Sequence, residues 1–96
     1  MLTYTFIIEF RGGIYISQVH ATDLRHSVKN WSQTLDIKEI KYFGEQSQKE
    51  LIKAVSDEVP TPITGLTNVW CLSLSLRVGF LIVNIVQTMT EGLSPT

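Results

Sequence analysis

Large apolar residues recur at every second position in two stretches, one near each end of the chain. In the first they are Tyr4, Phe6, Ile8 and Phe10. After Gly12-Gly13 the alternation resumes through Tyr15, Ser17, Val19 and Ala21. A period of two marks a strand with one buried face. Glycine tolerates the positive φ angles of tight hairpin turns, so Gly12-Gly13 predicts a two-residue loop. That loop sets Phe10 opposite Tyr15, Ile8 opposite Ser17, Phe6 opposite Val19 and Tyr4 opposite Ala21. The other face then holds Thr5, Ile7, Glu9 and Arg11 with Ile14, Ile16, Gln18 and His20.

The second stretch repeats the pattern. Trp70, Leu72, Leu74 and Leu76 alternate with Cys71, Ser73, Ser75 and Arg77. On the return, Leu81, Val83 and Ile85 alternate with Phe80, Ile82, Asn84 and Val86. Loops at Val78-Gly79 and at Arg77-Val78 both bring the leucines beside Leu81, Val83 and Ile85. Val78 suits a left-handed turn position poorly, which favours a loop longer than two residues.

Between the hairpins the period changes. Leu24, Val28, Trp31 and Leu35 form one helical stripe, started by Thr22 or Asp23 as the cap. Ser47 followed by Glu50 reads as a capping box, with Leu51, Ile52 and Val55 on the buried side of a second helix ending near Asp57. Residues 37–43 read either as a short strand or as an irregular link packed through Ile40 and Phe43. Pro60, Pro62 and Gly65 make residues 59–68 a loop. Residues 89–96 read as a frayed tail.

The expected fold is an α+β two-layer sandwich in a single domain spanning residues 1–96. A four-stranded, mainly antiparallel sheet of order β-β-α-α-β-β carries both helices on one face. A short extra strand near 37–43 is the open alternative.

Composition narrows the function classes. Ninety-six residues give a small core, so partner contacts matter to stability. The formal net charge is −1. All charged side chains except Glu9, Arg11, Arg77 and Glu91 lie between Asp23 and Glu58. There the signs are mixed, as on a solvated helical layer. No basic stripe suggests nucleic acid as the partner. The aromatic residues of the first strand fall on the helix-covered face, away from any base-stacking role.

Val69 to Val86 is long enough to raise the question of a spanning helix, with Arg77 its one charge. Ser73, Ser75 and Asn84 at alternating positions, and the β-branched run Ile82, Val83, Ile85, Val86, favour the hairpin instead. A lone Cys71 allows no internal disulfide, and no leader pattern opens the chain. A cytoplasmic protein without membrane contact is the expectation.

The opening β-β-α pattern of residues 4–35 resembles the small antitoxin domains called HicB-like. Their Pro-Gly and Gly-Asp/Glu segment between strand and helix is absent, since Val19-His20-Ala21-Thr22-Asp23 runs directly into the helix. No function or residue role is carried across.

Candidate chemistry is sparse. His20 and His26, with Asp23 nearby, fall short of a metal set, and no cofactor motif follows the glycines. Cys71 lacks an activating context. A polar patch of Glu9, Arg11, Gln18 and Asn84 on the outer sheet face is the one candidate for a small enzyme site, with Cys71 nearby. Glu9 has no acidic neighbour on that face, and Arg11 shares the face with it, so the paired carboxylates of acid–base chemistry are missing.

The outer face is otherwise unusual. Ile7, Ile14, Ile16, Phe80, Ile82 and Val86 should all point away from the helices, where a solvated face normally turns polar. The expected function is therefore a small non-enzymatic protein-interaction module. Its partner is another protein or a second copy of itself, covering those six residues. An enzyme at the polar patch and a single-stranded nucleic-acid module are the competing readings.

Overall fold

The computed structural model describes residues 2–89. Its elements are β1 (Leu2–Phe10), β2 (Gly13–Ala21), α1 (Leu24–Thr34), α2 (Glu45–Asp57), β3 (Thr61–Pro62), β4 (Val69–Leu76) and β5 (Gly79–Met89). They form an antiparallel five-stranded sheet in the order β2-β1-β5-β4-β3. The sheet thus has five strands rather than the expected four. The extra one is not at 37–43, where Ile37–Glu39 is a single 3-10 turn. It is Thr61–Pro62, which pairs with Trp70 and Cys71 inside the segment expected to be a loop. The alternative of an irregular link through Ile40 and Phe43 describes 37–43, since both side chains are buried. The expected frayed tail lies outside the described residues, apart from Met89 at the end of β5.

The first hairpin has the expected faces and a different register. Phe10 pairs with Gly13, Ile8 with Tyr15, Phe6 with Ser17 and Tyr4 with Val19. The turn is therefore Arg11-Gly12, and both have positive φ, 49° and 82°. That is the signature of the type I′ turn, whose twist matches the strands it joins. The two glycines do different jobs. Gly12 supplies a conformation, whereas Gly13 supplies space: a Cβ there would fall 2.6 Å from the Tyr15 hydroxyl oxygen. A shift of two residues leaves every side chain on its predicted face.

The second hairpin turns at Arg77-Val78, with Leu76 opposite Gly79. Neither turn residue has positive φ. Gly79 does, at 146°, and so the loop needs only two residues.

Helix α1 begins at Asp23, whose Oδ1 accepts from the His26 amide at 2.9 Å. Helix α2 starts at Glu45 after Gly44, not at the Ser47-Glu50 capping box. Ser47 lies inside the helix and is buried. Glu50 turns instead to the second hairpin, where both carboxylate oxygens sit 3.2 Å from the Arg77 amide nitrogen. Gln48 ties the helices together by donating to the Ser32 and Gln33 carbonyls at the end of α1.

Both helices cover one face of the sheet. The core beneath them holds Tyr4, Phe6, Ile8 and Phe10 from β1, Leu72, Leu74 and Leu76 from β4, and Leu81, Val83 and Ile85 from β5. Val28 and Trp31 enter from α1, Leu51 and Val55 from α2. Trp31 stacks on Phe6, and Phe43 meets Phe10 edge-on at 5.6 Å between ring centroids. No helix among the described residues is long and apolar enough to cross a membrane.

Candidate interaction surface

Strand alternation fixes what the outer face displays, because every residue beside a core position points away from the helices. The pairings give three rows across the sheet. One runs Ile14, Glu9, Ile82, Ser73; the next Ile16, Ile7, Asn84, Cys71; the third Gln18, Thr5, Val86, Val69. Phe80 lies beside Ser75 at the end nearer the turns. All six apolar residues singled out from the sequence therefore share this face.

Their exposure is graded. Ile14 and Ile16 are 65% and 66% exposed and Phe80 is 56% exposed. Ile7, Ile82 and Val86 are half-buried by their neighbours. Residues 59–68 do not fold back as a cover. Thr61–Pro62 extends the sheet sideways instead, and Ile63 donates to the Val69 carbonyl.

The polar candidates do not converge on a cleft. Arg11 is committed to structure: its guanidinium carbon lies 4.1 Å from the Tyr42 ring centre, and Nη1 donates to the Val78 carbonyl at 3.3 Å. Gln18 donates to Thr5 Oγ1 at 2.9 Å. Glu9 is exposed between Ile14 and Ile82, and no ion pair joins it to Arg11 among the described residues. Asn84 is half-buried between Ile7 and Cys71. One concavity of about 220 Å³ opens beside β2 and the Leu35–Ile40 segment. A wider one of about 540 Å³ lies between α2 and the Arg77-Val78 turn. Glu9 and Cys71 line neither.

The histidines serve local structure, well apart in role. His20 Nδ1 shares a hydrogen bond with Thr3 Oγ1 at 3.1 Å. His26 Nδ1 is 2.8 Å from Asp23 Oδ1. The His26 amide, then its ring, hold the Asp23 carboxyl below the usual carboxylate range. Burial pushes the Tyr4 hydroxyl above its ordinary value, and the Asp23 charge adds to the effect. No group of three or more metal-binding side chains occurs among the described residues.

Two features escaped the sequence reading. Ser17 Oγ and Trp31 Nε1 are buried without a hydrogen-bond partner among the described residues. Both flank Phe6, Ser17 as its cross-strand partner and Trp31 as its stacking partner. An apolar-looking position for a serine on the inner face of β2 was the available signal. No family model, curated protein or solved structure matches this chain.

Proposed function

We propose that this chain is a small non-enzymatic interaction module whose outer sheet face binds another protein surface, a second copy stacked sheet on sheet being the simplest form. One observation carries the reading. Ile14, Ile16 and Phe80 are more than half exposed on a face that no described element covers. Burying apolar surface stabilises association by about 25 cal/mol per Å², so such a patch gains from any apolar cover. The scattered placement of Glu9, Arg11 and Cys71 supports binding over catalysis, which needs groups held in mutual reach.

Light scattering on the wild type and on Phe80→Glu tests the self-stacking form. The expectation is a wild-type mass of two or more copies that halves in the variant, with an unchanged circular dichroism spectrum. A wild-type monomer at micromolar concentration would remove the second copy as partner. An unchanged mass in the variant would remove this face as the contact.

A further inference from the structure

The two edges of the sheet are treated very differently. Strand β3 closes one side with two residues, one of them Pro62, just after Pro60. Proline offers no N–H, and a strand this short gives an incoming chain little to pair with. Strand β2 closes the other side with nine residues. It contains no proline, lysine, arginine, aspartate or glutamate, and it pairs with β1 without a bulge. Among the described residues, none of the usual guards of a free edge is present on it.

The hairpin fixes which backbone groups are free. The Phe10–Gly13 pair flanks a two-residue turn and so exchanges hydrogen bonds. By alternation, Tyr15, Ser17 and Val19 bond to β1, whereas the N–H and C=O groups of Ile14, Ile16, Gln18 and His20 point outward. An unfilled edge of this kind specifies its partner as another extended strand.

A second observation selects the register. Ser17 is the middle residue of β2, and its Oγ is buried without a hydrogen-bond partner. A two-fold axis at Ser17 sets Ile16 opposite Gln18 of the second copy, and Ile14 opposite His20. It sets the two Ser17 residues in a non-hydrogen-bonded pair, where side chains lie closest, and rotation about the Ser17 Cα–Cβ bond turns each hydroxyl from the inner packing toward the other across the strands. Val19 of the second copy then faces Tyr15, beside the groove of about 220 Å³ that Tyr15 and Ser17 help to line. With no formal charge on β2, two copies meet without repulsion.

We infer that β2 pairs antiparallel with β2 of a second copy about a two-fold axis at Ser17, joining two sheets into one. This contact is separate from the outer-face reading, and either stands without the other. It leaves Ile14, Ile16 and Phe80 exposed and places two such patches on one continuous surface.

Cross-linking tests the register. In a Cys71→Ser background, Ser17→Cys should form a disulfide-linked dimer on mild oxidation, because paired Cα atoms there lie roughly 4.5–5.5 Å apart. Ile16→Cys should not, since the two copies of residue 16 lie roughly 8–9 Å apart, beyond disulfide reach. Adding Phe80→Glu should leave the Ser17→Cys cross-link intact, which separates this contact from sheet stacking. Equal cross-linking at 16 and 17, or none at 17 in a folded protein, would overturn the pairing. Amide exchange at Ile14, Ile16, Gln18 and His20 in the wild type provides a check without mutation. Those amides should be protected at high concentration and exchange faster on dilution; rates independent of concentration would overturn the pairing too.

Discussion

Trp31 lies flat on Phe6, with ring centroids 4.9 Å apart and planes 5° from parallel. Both rings are almost wholly buried, so this contact helps tie α1 to the middle of β1. Trp31→Ala should destabilise the fold by about 3–5 kcal/mol in urea unfolding. Trp31→Phe should cost much less, because it keeps a ring against Phe6 and deletes the unpartnered indole N–H. A phenylalanine variant as unstable as the alanine variant would contradict this account.

Gly79 carries the backbone conformation that lets β4 and β5 join in two residues. Its φ is 146°, and an added Cβ would sit 3.2 Å from Phe10 Cε1. Gly79→Ala should therefore lower stability by about 1–3 kcal/mol, measured by chemical denaturation. Gly44→Ala meets open space and serves as the control, with the smaller loss of the two.

Glu50 holds the same turn from the helical layer through the Arg77 amide. Glu50→Ala should speed hydrogen exchange at that amide, and Glu50→Gln should do so less, since one acceptor oxygen remains. The site is exposed, so the global stability change should stay near or below ~1 kcal/mol. Unchanged Arg77 exchange in the alanine variant would remove the proposed tether.

Two groups set opposite limits on the pH range. Asp23 has a depressed folded pKa, so its contribution is present above the ordinary carboxylate value and fades as pH falls through the folded one. Asp23→Asn keeps an acceptor at the cap and should flatten the acid side of a stability–pH curve. Tyr4 has a raised folded pKa, so the fold favours its neutral form. Stability should then hold below the ordinary tyrosine value and decline as pH rises toward the folded one. Tyr4→Phe should remove that alkaline decline. Parallel curves for wild type and either variant would count against the respective assignment.

Face assignment was legible from the chain because alternation survives a shift of two residues. Register was not, since Gly12-Gly13 invites a loop on both glycines while the positive φ values fall on Arg11 and Gly12. The Ser47-Glu50 signature misplaced the start of α2, because Glu50 finds the distant Arg77 amide rather than its own helix end. Strand β3 was hidden by Pro62, which suits an edge as well as a loop. The adjacency of β1 and β5 arises from contacts between opposite ends of the chain, which local periodicity does not report. The outward position of the six apolar residues followed from alternation alone. The unpartnered Ser17 hydroxyl needed the packing of α1 over β2 to become visible.

The central position of β5 has a consequence for synthesis. Among the described strands it is the sole link between the β2-β1 and β4-β3 halves of the sheet, yet it is the last of them to be made. Until it leaves the ribosome, β1 has an open side and its aromatic row lacks Leu81, Val83 and Ile85 beside it. The nascent chain thus carries two hairpin-competent pieces with no common sheet, and closure depends on pairing between distant parts of the sequence. That interval is when the chain is most exposed to the wrong strand, including its own kind emerging from a neighbouring ribosome.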